Sequence, residues 1–133
     1  MTIVSASAVL LASFLFGGTV LYSFGFAAFL FINLPAEQAG PLIRKAFPHF
    51  YLWMIVTAAL SAIVFIWVDT RSALLLAIVS ATTIPARQLL MPAVNRATDT
   101  GDSNRFKKLH SFSVIVTLVH IGIIGYVLVR LTS

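Results

Sequence analysis

The run Ile3–Leu34, IVSASAVLLASFLFGGTVLYSFGFAAFLFINL, decides the fold, because it contains no acidic, basic or histidine side chain. Only Ser, Thr, Gly and the closing Asn33 dilute its apolar character. A helix rising about 1.5 Å per residue over this stretch exceeds a hydrocarbon core about 30 Å thick, so it must tilt or protrude. It lacks a basic n-region and is too long for a signal peptide, which makes it a first transmembrane helix. Seven aromatics fall between Phe14 and Phe31, expected to face lipid or to pack. Ser13 and Gly17 form a small-xxx-small pair suited to close helix contact.

The rest of the chain repeats the pattern. Of 133 residues, 59% are hydrophobic and 10% charged, with a mean hydropathy of +0.99. Soluble domains carry about 25% charge, and this chain has too little to cover a water-facing surface. With no cysteine, disulfides, thiolate metal sites and cysteine nucleophiles are excluded together. Four helices of about 20 residues would use most of the length. The expected fold is therefore all-α: a polytopic, multi-pass membrane protein forming one four-transmembrane-helix bundle over residues 1–133.

The expected helices are 3–34, 47–68, 72–96 and 103–131. A loop, Pro35 to Pro41, and a basic stretch with Arg44 and Lys45 precede the second, which has Pro48 in its first turn. Asp69-Thr70-Arg71 is a short turn that forces helices two and three to lie antiparallel. Pro85, Arg87, Gln88 and Pro92 mark the third helix's passage into the interface, and Asp102 or Ser103 is the expected N-cap of the fourth. Trp53, Trp67, Tyr51 and Tyr126 fall near the expected span ends, as interfacial aromatics should.

The net charge of +5 is not the mark of a nucleic-acid groove, because the cations gather at the ends of apolar runs. Arg44, Lys45, Arg87, Arg96, Arg105, Lys107 and Lys108 lie on the side of the first and third loops, against Arg71 and Arg130 on the other. Seven against two assigns those loops to the cytoplasm and both termini to the non-cytoplasmic side. The expected location is a bacterial cell inner (plasma) membrane.

Polar residues are few and patterned. On helix four, His110, Ser113, Thr117 and His120 fall within an arc of about 80°, and such a stripe faces other helices rather than lipid. Ser80, Thr83 and Arg87 share a face of helix three, and Thr57 and Ser61 are one turn apart on helix two. Together they outline a polar seam. His120, near mid-span, is the candidate cofactor-binding residue. If it faces inward, a serine or threonine from another helix is its expected partner. The hydroxyls otherwise bond backbone carbonyls. A cluster of Glu37, Arg87, Asn95 and His110 is expected where helices one, three and four meet the cytoplasmic interface, since charges at that boundary favour pairing. Phosphate loops, G-x-S-x-G and H-E-x-x-H are missing. No catalytic residue, metal ligand or cofactor is assigned.

Two stretches carry a family resemblance. Leu34-Pro35 through Gln38-Ala39-Gly40 with Phe47-Pro48-His49-Phe50-Tyr51, and Pro92 through Asn95 and Asp99 to Phe106, Leu109, His110 and Ser113, resemble the transmembrane protein 205-like family. That family comprises small four-helix membrane proteins, carried in bacteria as a domain of unknown function. Its pattern has an asparagine about a turn after the helix-four serine, where this chain has Thr117. The resemblance implies the topology and supplies no activity. The expected role is a non-catalytic accessory or structural subunit of a larger membrane complex, or a self-associating helper. Its partners would be the lipid bilayer and either membrane-protein subunits or further copies of itself, not nucleic acid. The alternatives are a small oligomeric transporter or permeability factor using the seam, and a haem- or porphyrin-handling protein.

Overall fold

A computed structural model describes residues 2–133. It is all-helical, with four helices long and apolar enough to cross a membrane: α1 (Ile3–Asn33), α2 (Ala36–Phe65), α3 (Thr70–Asp99) and α4 (Ser103–Arg130). Each start is fixed locally. Thr2 caps α1 by accepting from the Ser5 amide at 3.0 Å. Asp69 caps α3 through the Ser72 amide at 3.3 Å, and Asp102 caps α4 through the Arg105 amide at 3.1 Å. Between α3 and α4 the chain reverses at Gly101, whose φ of +71° suits a residue without Cβ.

Both ends of α2 and of α3 differ from expectation. Helix α2 starts at Ala36, not Phe47, so most of the expected loop is helical. Ala36, Glu37, Gln38 and Ala39 favour helix, and Glu37 in the first turn complements the dipole. The amide missing at Pro41 frees only the carbonyl of Glu37, an exposed residue. At the other end α2 stops at Phe65, and α3 begins at Thr70 rather than Ser72, with Asp69 as its cap. Helix α3 also runs on to Asp99 instead of ending near Arg96. It passes Pro85 by widening into a π-helical stretch, Ala86–Leu90, where a proline interrupts the ordinary bonding register. A second π-helical stretch, Leu21–Phe26, lies within α1.

Sequential helices are neighbours, and α4 returns to α1, closing a four-helix ring. The core takes Ala8, Ala12 and Leu15 from α1, Met54, Ala58 and Phe65 from α2, Leu76 and Val79 from α3, and Ile124 and Val127 from α4. Ser13 and Gly17 face outward, unlike their expected role. The close approach is made by the adjacent Gly18, where a Cβ would collide with the Trp53 ring.

Candidate functional site

Three features stand out, beginning at mid-bundle. His120 is buried, and its Nε2 lies 2.7 Å from the Thr82 hydroxyl on α3. That hydroxyl also lies 2.7 Å from the Ile78 carbonyl. A carbonyl cannot donate, so the threonine proton points to Ile78 and Nε2–H donates to Thr82. The geometry thereby assigns the tautomer and engages Nε2. The partner is a threonine, as the stripe implied, but Thr82 lies off the Ser80–Thr83–Arg87 face. Three seam hydroxyls are tied down: Ser80 donates to the Ile55 carbonyl across the α2–α3 interface at 2.8 Å, Thr83 to Val79 at 2.7 Å and Thr117 to Ser113 at 3.0 Å, while the buried Ser61 hydroxyl has no partner among the described residues.

The second feature is a cavity of about 150 Å³ at the end carrying the α1–α2 and α3–α4 loops. Its polar lining is Arg44 and Tyr51 from α2, Asn95 from α3, and His110 and Ser113 from α4. Arg44 Nη2 donates to the Asn95 carbonyl and to Asp99, each at 2.9 Å, fastening the start of α2 to the end of α3. Buried Tyr51, expected at the membrane interface, instead lines this cavity together with Ser113 of α4. His110 stacks on Phe106, with ring centroids 5.4 Å apart.

Of the four residues expected to cluster, Asn95 and His110 meet around this cavity. Arg87 turns instead to the Pro48 carbonyl at 2.9 Å and to Gln88 at 3.0 Å. Glu37 is exposed in the first turn of α2. It stands about 10 Å along the axis beyond Arg44, and Arg87 about 12 Å from Asn95, too far for side chains fixed at the cavity wall. Arg44 and Tyr51 take their places. The quoted motif stretches hold the signal for this, since Phe47, Tyr51, Asn95, His110 and Ser113 all line the cavity.

The third feature faces outward. Along α1 and α2, Phe14, Tyr22, Phe26, Phe29, Phe50 and Trp53 line an open apolar groove of about 720 Å³, with His49 at its wall. Tyr22 and Phe50 stack at 4.6 Å and 7°, and Phe14 meets Trp53 at 5.2 Å. The helix-one aromatics expected to face lipid or to pack do both: Phe29 is 62% exposed, while Tyr22 packs against Phe50.

At the opposite end, Arg130 Nε donates to Asp69 at 2.7 Å, joining the end of α4 to the α2–α3 turn. Arg130 and the Ser72 hydroxyl hold the Asp69 carboxyl well below the usual carboxylate range.

No curated protein and no solved structure matches the chain. A family model does match, over residues 10–103, which takes in most of α1, all of α2 and α3 and only the first residue of α4. Its description is a domain of unknown function, DUF4149, and the chain belongs to that family.

Proposed function

We infer that the protein is a non-catalytic component of a bacterial inner membrane that works by lateral contact, as an accessory subunit or a self-associating helper. The two motif stretches support a finer kinship with the transmembrane protein 205-like proteins. The excess of cations at the two-loop end supports placing that end in the cytoplasm and both termini outside. The observation that carries the reading is the aromatic groove between α1 and α2. A concave apolar surface at membrane depth gains from packing a complementary helix, since van der Waals contact drives association in lipid.

The interior supports this reading over a transporter. Leu15, Met54, Phe65, Leu76 and Ile124 are fully buried along the axis, and the Ser80, Thr83 and Thr117 hydroxyls are bonded within the bundle. Haem ligation through His120 Nε2 would have to release that nitrogen from Thr82.

Gly25 lines the groove, and a Cβ there would meet only the Leu21 side chain, at 3.1 Å. Gly25→Leu should therefore fill the groove and leave the fold intact. Purified in mild detergent, wild type should run as an assembly larger than one chain and the variant as a single chain. An unchanged assembly would count against the reading, visible-range absorbance would favour the haem alternative, and solute flux into liposomes the transporter.

A further inference from the structure

The cavity at the two-loop end is ringed by hydrogen-bonding groups that the protein leaves unused. Both bonds from Arg44 use Nη2, so of five guanidinium N–H groups the Nε and Nη1 donors stay free. Asn95 gives its backbone carbonyl to Arg44, and among the described residues its side-chain amide has no partner. The His110 ring stacks on Phe106 without a hydrogen bond among the described residues. Tyr51 and Ser113 add two hydroxyls to the lining. These groups come from three different helices and are rich in donors. About 150 Å³ is room for about five waters at about 30 Å³ each, enough for a tetrahedral oxyanion. Seven basic residues stand at this end, from Arg44 to Lys108, against the acids Glu37, Asp99 and Asp102. Asp99 already occupies one edge of Arg44, which leaves the open edge for a second anion.

We propose that this cavity binds a phosphate group, carried by a lipid headgroup or free in the adjoining water. The guanidinium holds it by charge-assisted bonds, while the Asn95 amide and His110 ring close on it from α3 and α4. An occupant here would tie α2, α3 and α4 together, which makes thermal stability the direct readout. The site is independent of the aromatic groove.

The test uses the full chain in neutral detergent. Thermal unfolding is followed with sodium phosphate against sodium chloride at equal ionic strength, and with dihexanoyl phosphatidylglycerol against dihexanoylglycerol. Stabilisation by inorganic phosphate identifies a free anion as sufficient, and stabilisation by the phospholipid alone identifies the headgroup. Asn95→Leu and His110→Leu should each weaken the apparent affinity about tenfold. Arg71→Gln, which removes a cation at the opposite end, should leave it unchanged. Should Asn95→Leu fail to fold, the exposed His110 carries the comparison. The proposal is overturned if neither probe stabilises beyond its control, or if His110→Leu retains wild-type affinity.

Discussion

His120 shows how a polar side chain is accommodated inside this bundle. Its Nε2–H donates to Thr82, whose own proton goes to Ile78, so one hydroxyl satisfies two neighbours. Thr82→Val would leave the buried imidazole donor unpaired, and should cost about 1–2 kcal/mol in detergent unfolding. Thr82→Ser keeps the hydroxyl and should cost roughly half of that or less. Since the two residues act as one unit, Thr82→Val should cost almost nothing further once His120→Leu is present. Full additivity would mean that the bond carries no energy. The sequence showed that His120 wants a hydroxyl and left open which one, because a helical wheel assigns Thr82 to a different face from Ser80 and Thr83. Gly18 is decided by contact in the same way. Gly18→Ala places a methyl against Trp53 and should destabilise by about 1–3 kcal/mol, with a shift in tryptophan fluorescence. A silent substitution would mean that the ring does not rest there.

At the scale of helices, the ends hold the register. Asp69 caps α3 and pairs with Arg130 of α4, so two junctions share one carboxylate. Its proton affinity is lowered in the folded state, so the pair stabilises fully above the ordinary carboxylate range near about pH 4. That stabilisation is lost as pH falls below it. Asp69→Asn should therefore lower stability at neutral pH and flatten its decline in acid; an acid profile as steep as wild type would remove Asp69 from the explanation. Gly101→Ala, forced to positive φ, should cost about 1 kcal/mol, read from the same unfolding curves. The four long helices were legible because an unbroken apolar run is the strongest signal a sequence carries. The start of α2 was not, because Gly40 and Pro41 read as breakers while the bond from Arg44 to the end of α3 spans 55 positions. The cavity was half legible for a similar reason. Its motif residues could be named, but periodicity on single helices does not reveal that Arg44 and Tyr51 line one cavity with Asn95 and Ser113.

For the whole molecule, the bundle sets an apolar core against an outer surface that carries an open aromatic groove. Orientation is directly testable because the chain has no native cysteine. A Thr100→Cys variant, at the end of α3, should resist membrane-impermeant maleimide in intact cells and react after lysis. Reaction in intact cells would invert the topology. Lateral association through the groove is tested most directly in the native membrane, by a photoreactive amino acid at Phe26 or Phe29, compared with Leu74 on another exposed face. Irradiation should give one discrete protein adduct from the groove positions, of twice the chain's mass if the partner is a second copy, and none from Leu74. Lipid adducts alone at all three positions, or the same protein adduct from Leu74, would show that the groove has no role in association.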